Sequence, residues 1–69
     1  MVNTDKLLGI MAEQHKTQGD VAKALNMSSK TFYTRMKSKV FGSDEIERMI
    51  DYLDISDPMP IFFDNKVTL

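Results

Sequence analysis

Residues 17–36, TQGDVAKALNMSSKTFYTRM, contain two short helical patterns joined by a turn of about three or four residues. Apolar residues recur at helical spacing in both halves: Val21, Ala22, Leu25, Phe32 and Met36. A turn this short brings the two helices into close contact, and the small side chain of Ala22 suits such a crossing. Asn26 falls at the corner, where it tolerates a positive φ better than branched residues do. The segment therefore predicts two helices packed together around one tight corner.

Capping residues and apolar spacing predict five helices in all. Thr17 begins the second helix, with Asp20 as a shortened capping-box acid, and Ser28 begins the third. These two helices are expected to end at about Leu25 and Lys37. The other three helices have the following predicted limits: with Thr4 as N-cap, Asp5 to about His15; Gly42 or Ser43 to about Leu53; and, with Asp57 as N-cap, Pro58 to about Phe63. Their core-facing residues include Leu7, Ile10, Met11, Ile46, Met49, Ile50 and Leu53, with Phe41 and Ile55 from the connections.

Length and composition limit the chain to a few classes of protein. Its 69 residues have room for one domain, and the absence of cysteine excludes disulfides and thiolate metal sites. No apolar run approaches the ~20 residues that span a bilayer, and the first twenty residues lack the basic-then-apolar pattern of a secretory signal peptide. We therefore expect a cytoplasmic protein without a membrane partner. No segment alternates like a strand. The expected fold is all-α, a compact five-helix bundle over residues 1–63 with a flexible tail over residues 64–69.

Charge is distributed unevenly along the chain. Residues 1–40 hold seven Lys or Arg and three acids, a net charge of +4, whereas residues 41–69 hold two Lys or Arg and seven acids, a net charge of −5. No acid occurs between Asp20 and Asp44, where five basic residues lie. Phosphate binding depends on the local field, which salt screens beyond ~8 Å. The overall charge of −1 is therefore compatible with a nucleic-acid surface on the helix pair.

The sequence offers little for catalysis. The single His15 has no Ser, Cys or carboxylate in a recognisable catalytic frame, and it is interpreted as a helix-terminal residue. Glu47 and Asp51 lie one helical turn apart, but the ligand set of a calcium loop is not present, so they are interpreted as a solvated face. We expect no enzymatic activity, no cofactor and no metal site.

The outward side of the third helix carries the residues that suit DNA recognition. With Phe32 and Met36 turned inward, we expect four side chains to reach base edges: Ser29, Lys30, Tyr33 and Thr34. We expect phosphate contacts from residues at the start of the second helix and the end of the third: Thr17, Gln18, Lys37 and Lys39. The alternative is that the third helix is only the exposed edge of a small bundle, with Lys and Thr for solubility.

Two segments resemble the Cro/CI/Xre helix-turn-helix superfamily of phage and bacterial regulators: Thr17-Gln18-x-x-Val21-Ala22-x-x-Leu25-Asn26-Met27-Ser28-x-x-Thr31-Phe32, and Glu45-Ile46 … Leu53-x-Ile55 … Pro58-x-x-Ile61-Phe62-Phe63. The second segment is similar to short phage- or prophage-encoded members. The resemblance covers about residues 5–63 and implies a lambda-repressor-like domain, with its second helix across the DNA backbone and its third in the groove. It implies that Gln18 binds phosphate and that Ser29, Lys30 and Thr34 face bases. Asn26 stands where the family usually has Gly, and Arg35 where many members have an apolar residue.

These observations predict a sequence-specific transcriptional regulator, a Cro-like repressor or phage switch component, that binds a double-stranded DNA operator. The acidic half of the chain leaves an alternative open, an antirepressor or modulator that binds a partner repressor protein through the same fold. An antitoxin is a third alternative, for which the tail of about six residues is short.

Phe62 and Phe63 have two interpretations. One of them is expected to close the core over the first and fourth helices. The other, with Ile61, Val67 and Leu69, would form an exposed apolar patch for self-association. The sequence does not decide whether two copies of the chain form a homodimer through this region.

Overall fold

The computed structural model describes residues 1–63, which form five helices and no strand. The helices are α1 (Thr4–Glu13), α2 (Gln18–Ala24), α3 (Ser29–Ser38), α4 (Ser43–Tyr52) and α5 (Met59–Phe62). The Cα radius of gyration is 11.5 Å, close to the ~11 Å of a compact domain of this size. The all-α expectation is confirmed, while the predicted tail over residues 64–69 lies outside the described residues. None of these five helices is long and apolar enough to cross a bilayer.

The side chains that begin α2 and α3 are those that the sequence predicts. Thr17 Oγ1 accepts a hydrogen bond from the Asp20 amide at 3.1 Å, and the Asp20 carboxylate accepts one from the Thr17 amide at 2.9 Å. Ser28 Oγ accepts a hydrogen bond from the Thr31 amide at 3.1 Å. Each bond satisfies an amide that the first turn of a helix leaves without a partner. The two helices therefore begin at residues fixed by local chemistry.

Two predicted helix starts are wrong by one residue. The N-cap of α1 is Asn3, whose Oδ1 accepts from the Lys6 amide at 3.2 Å, and Thr4 is already helical. Asn caps a helix as well as Thr does, so the sequence alone did not separate them. The N-cap of α5 is Pro58 rather than Asp57. Pro58 has a helical φ of −77° and ψ of −15°, and its carbonyl accepts the first helical hydrogen bond of α5, from the Phe62 amide at 2.9 Å.

Four helices end with a residue in the left-handed region that is not glycine. These residues are His15 (φ 57°) after α1, Asn26 (φ 59°) after α2, Lys39 (φ 61°) after α3 and Asp54 (φ 51°) after α4. At the α2 end, the Met27 amide donates to Ala22 O and the Asn26 amide to Lys23 O, both at 3.0 Å, which is a Schellman motif. Only Asn26 was predicted, because Asn is the residue type that tolerates this conformation best after glycine. The prediction for Asn26 is confirmed.

The core lies between all five helices and includes both chain connections around α4. Its buried residues are Val2, Leu7, Met11, Val21, Ala22, Leu25, Phe32, Met36, Phe41, Met49, Leu53, Ile61 and Phe62. The rings of Phe32 and Phe41 pack at 5.8 Å between centroids, tilted by 56°. This contact fixes the connection between α3 and α4 against the inner side of α3, as expected for Phe41. Ile10, Ile46, Ile50 and Ile55 are partly buried against the same core.

The two interpretations of the aromatic pair in α5 are resolved for the described residues. Phe62 is buried and Phe63 is half exposed, so Phe62 is the residue that closes the core. Placing Ile61 in an exposed patch was wrong, because its side chain is only 4% exposed. Val67 and Leu69 lie outside the described residues. Met59 is exposed, one helical turn from Phe63.

Backbone hydrogen bonds hold the amino-terminal residues against two distant elements. The Val2 amide donates to Lys39 O at 3.0 Å, and the Asn3 amide donates to Ile61 O at 2.6 Å. The Val2 side chain is buried in the core. The first three residues therefore connect the end of α3 to α5, an arrangement that the sequence did not indicate.

Candidate nucleic-acid interface

The solvent-facing side of α3 is the surface that the sequence analysis predicts to recognise DNA. Phe32 and Met36 are buried one helical turn apart, and they fix the rotation of α3 about its axis. The side chains on the outward side are all exposed: Ser29, Lys30, Thr31, Tyr33, Thr34 and Lys37. Tyr33 is the most exposed aromatic residue within residues 1–63, with 63% of its surface accessible to solvent. The structure therefore brings the four predicted base-facing residues to one accessible surface.

The first turn of α2 lies next to the first turn of α3. A Cβ placed on Gly19 would lie 3.6 Å from Thr17 Oγ1 and 3.8 Å from Ser29 Oγ. Thr17, Gln18 and Ser29 are all exposed. The predicted phosphate-binding residues of α2 and the first predicted base-facing residue of α3 therefore share one continuous surface. We name this surface the α2–α3 face and define it by Thr17, Gln18, Ser29, Lys30, Tyr33, Thr34, Lys37 and Lys39.

Hydrogen bonds within the helices determine what two of these hydroxyl groups can offer a ligand. Thr34 Oγ1 donates its proton to Lys30 O at 3.0 Å. The outward part of Thr34 is therefore its methyl group, together with a remaining lone pair. Thr17 Oγ1 accepts from the Asp20 amide, and its hydroxyl also interacts with the Asp20 carboxylate. The state of Thr34 suits an apolar contact with a base.

The three lysines of the α2–α3 face lie at the two ends of α3. Lys30 lies in the first turn of α3, Lys37 in the last, and Lys39 follows the helix with a left-handed φ of 61°. All three are exposed. Lys39 is also held through its backbone, because its amide donates to Arg35 O at 2.8 Å and its carbonyl accepts from Val2. Positive charge thus extends along the length of α3 without an acid on that helix.

Arg35 does not belong to the α2–α3 face. Its guanidinium Nε lies 3.1 Å from Glu45 Oε2, at the start of α4. Arg35 is half-buried between the inward and outward sides of α3. Sequence reasoning missed this pair, because ten residues and a turn separate the partners and no periodic pattern relates them. The positive charge of Arg35 is paired with the Glu45 carboxylate within the protein.

Asp20 supports the start of α2 electrostatically. Its hydrogen bonds with the backbone and hydroxyl of Thr17 hold the pKa of the Asp20 carboxyl below its usual value, and Lys16 and Lys23 add a smaller effect in the same direction. The ionised form therefore keeps Thr17 in its capping position. The Lys16 ammonium lies 4.0 Å from the centre of the Tyr52 ring and donates a hydrogen bond to Tyr52 O at 3.3 Å. Lys16 therefore contacts the carboxyl end of α4.

No group of three or more His, Cys or acidic side chains suited to a metal ion occurs within residues 1–63. His15 is exposed at the end of α1. Glu47 and Asp51 are also exposed, on the outward side of α4.

Comparison with known proteins gives no independent guide to the α2–α3 face. No protein-family model, curated protein or solved structure matches this chain. The chemistry of its own residues is therefore the basis for what this surface binds.

Proposed function

We propose that this chain is a sequence-specific DNA-binding regulator in which α2, the turn at Asn26 and α3 form a helix-turn-helix. The observation that carries the proposal is the composition of the α2–α3 face. It combines hydrogen-bonding, aromatic and cationic side chains on one exposed side of α3, whose opposite side is buried at Phe32 and Met36. An α-helix with its side chains is ~10–12 Å wide and fits the ~12 Å major groove.

In this mode of binding, α3 lies in the major groove and α2 crosses the DNA backbone. Lys30 donates to guanine O6 or N7, and Ser29, Tyr33 and Thr34 contact neighbouring base edges. Thr17 and Gln18 bind phosphate at one side of the groove, and Lys37 and Lys39 bind it at the other. The base contacts select the sequence, whereas the phosphate contacts fix the position of the protein on the duplex.

The acidic half of the chain does not oppose this function. The exposed acids of α4, such as Glu47 and Asp51, are on another helix than the cations of the α2–α3 face. Physiological salt screens exposed charges beyond ~8 Å. The potential that DNA phosphates meet at this face therefore depends most on the nearest charges, Lys30, Lys37 and Lys39, and less on the overall charge.

The proposed biological role is that of a Cro-like repressor or a phage switch component of the Cro/CI/Xre type. It acts in the cytoplasm of a bacterial cell on a double-stranded operator and needs no cofactor. A single small module buries only ~600–1,000 Å² on DNA, so two copies on a pseudo-palindromic site give the tighter complex. The two half-sites would then be ~34 Å apart, one helical turn of DNA.

The test is a binding titration with duplexes enriched from a random pool by the protein itself. Fluorescence anisotropy at two salt concentrations compares the enriched duplex with a scrambled duplex of equal length. We expect selective binding that weakens steeply with salt. A Lys30→Ala/Tyr33→Ala variant should lose selectivity, while Glu47→Gln, a change on the outward side of α4, should retain it. Failure to enrich any sequence, with no binding at about 50 mM salt, would refute the proposal.

The exposed acids of α4 favour a second candidate function. Asp44, Glu47 and Asp51 are exposed on this helix, and they suit the basic surface of another regulator. An antirepressor of this kind would form a stable complex with a partner repressor, and Glu47→Lys/Asp51→Lys would disrupt it. The same variant should leave DNA binding by the α2–α3 face intact. Comparison of this variant with the unmodified chain in both binding assays therefore distinguishes the two functions.

A further inference from the structure

A shallow groove lies between α1 and α5, and none of its residues belongs to the α2–α3 face. Its volume is about 320 Å³ and its surface is mainly apolar. We name it the α1 groove, and its residues are Lys6, Gly9, Ile10, Glu13, Pro60 and Ile61. The four residues from α1 follow a spacing of three, one and three, which places them on one side of the helix. The groove is therefore an apolar strip with a cation at one end and a carboxylate at the other.

Gly9 lies at the middle of this strip, in the interior of α1. Glycine inside a helix costs about 1 kcal/mol relative to alanine. Packing among residues 1–63 does not require it, because a Cβ on Gly9 would meet no atom of these residues within 4 Å. Gly9 is exposed, so the missing side chain leaves a notch open to solvent. Such a notch lets a second backbone or a bulky side chain approach α1 closely.

The charges of the α1 groove are self-complementary. Lys6 and Glu13 are seven residues apart, about 10 Å along the helix. The midpoint between them falls between Gly9 and Ile10. A second copy related by a two-fold axis at this midpoint runs antiparallel to the first. Lys6 of each copy then faces Glu13 of the other, and Ile10 of each copy faces the notch at Gly9 of the other.

We propose that the α1 groove is the surface through which two copies of this chain associate. The occupant is a second copy because the arrangement of charges matches itself under two-fold rotation, which an isologous dimer requires. The proposal extends the dimeric mode of DNA binding proposed above and rests on it only for its biological purpose. Two exposed ion pairs and a small apolar strip make an association that salt weakens.

Charge reversal in the absence of DNA tests the proposal. Sedimentation velocity is measured over a range of protein concentrations for the full chain, for Lys6→Glu and for Glu13→Lys. Each single variant places like charges opposite each other twice, so we expect association to weaken by about tenfold or more. The Lys6→Glu/Glu13→Lys variant keeps the net charge, and we expect it to associate as the unmodified chain does. Glu47→Lys repeats one charge change on α4 and should have no effect.

Mixing the two single variants is the sharpest measurement. The Lys6→Glu chain carries two acids at the paired positions and the Glu13→Lys chain two bases, so an equimolar mixture should associate although neither chain does so alone. A structural effect within one chain cannot produce this result. Gly9→Gln fills the notch with a better helix former, and we expect it to abolish association while the chain stays folded by circular dichroism.

The proposal is overturned if the unmodified chain stays monomeric at every concentration tested. It is also overturned if a dimer forms that neither charge reversal weakens, which would favour an interface at the exposed Met59 of α5 and Phe63 after it. A mixture that fails to associate, while the double variant does, would likewise exclude the paired contacts. Because no DNA is present, these outcomes are independent of whether the α2–α3 face binds DNA.

Discussion

Arg35 Nε lies 3.1 Å from Glu45 Oε2, and this ion pair joins the second half of α3 to the first turn of α4. The N–H of Nε is not directed at an acceptor in hydrogen-bond geometry, so charge attraction dominates the contact. The other carboxylate oxygen, Glu45 Oε1, accepts from the Gly42 amide at 2.8 Å. One side chain therefore secures both the start of α4 and the position of α3 beside it.

We predict that Arg35→Met changes stability but not the salt dependence of DNA binding. The pair is partly exposed, so its loss should cost about 1 kcal/mol or less of unfolding free energy, measured with urea. Met keeps the aliphatic packing of the Arg stem. Lys37→Met is the matched control on the α2–α3 face, and it should reduce the salt slope by about one. An equal loss of slope in Arg35→Met would mean that Arg35 contacts phosphate.

Lys30 and Lys39 should differ in what their removal does to DNA binding. In the proposed complex Lys30 contacts a base, so Lys30→Ala should cost about 1–3 kcal/mol on the enriched duplex and relax the preference at one base position. Lys39 contacts phosphate in the same proposal, so Lys39→Ala should weaken binding to all sequences alike and reduce the salt slope by about one. Anisotropy titrations on enriched and scrambled duplexes measure both quantities. Equal losses on both duplexes for both variants would show that these roles are wrongly assigned.

Thr34 should contribute to recognition through its methyl group. Because its hydroxyl donates to Lys30 O, Thr34→Ser should lose about 1 kcal/mol at one thymine position, whereas Thr34→Val should lose little. Replacing thymines of the enriched duplex by uracil, one at a time, locates the contact, since uracil lacks the methyl group. Thr31→Ser, which deletes a methyl from another exposed side chain of α3, serves as the control. A larger loss for Thr34→Val than for Thr34→Ser would show that the hydroxyl is the reading group.

Asp20 should make folding sensitive to acid. Its pKa is lowered in the folded chain, chiefly by the Thr17 amide, so its ionised form stabilises the fold above the unfolded pKa. That contribution is lost as the pH falls from near the ordinary value of 3.8 through the lowered value. We expect Asp20→Asn to flatten this part of the pH–stability curve, measured by urea unfolding between about pH 2 and 6. Asp5→Asn, another exposed acid in a first helical turn, is the comparison. An unchanged curve for Asp20→Asn would contradict the capping role.

His15→Gly should stabilise the protein. His15 ends α1 with a φ of 57°, a conformation that costs a residue with a Cβ about 1 kcal/mol more than glycine. We therefore expect the free energy of unfolding to rise by about 0.5–1 kcal/mol. Ala12→Gly, at an exposed and helical position of the same helix, should instead lower it by about 1 kcal/mol. Equal destabilisation by both changes would show that the left-handed φ at His15 carries no strain.

Local chemistry made much of this fold predictable. Thr17, Asp20, Asn26 and Ser28 act through bonds and conformations within a few residues, so their types alone indicated the limits of α2 and α3. The inward positions of Phe32 and Met36 followed from helical spacing, and these determined which residues α3 exposes.

Contacts between distant segments were not predictable. The burial of Val2, the Arg35–Glu45 pair and the hydrogen bonds of Gln14 and Lys16 to the carboxyl end of α4 all depend on how helices meet in space. Ile61 was misplaced for the same reason. A four-residue helix has too few positions to show which side it buries, and only packing against α1 decides it.

The backbone bond from Val2 to Lys39 has a consequence for how Lys39 meets a ligand. Because the peptide at Lys39 is held at both its amide and its carbonyl, the entropy of ordering that backbone is lost during folding. Association then has to immobilise only the flexible lysine stem. In the proposed DNA complex, Lys39 would therefore bind phosphate from a backbone that is already ordered. Removal of the first three residues would weaken that contact without changing the charge of Lys39.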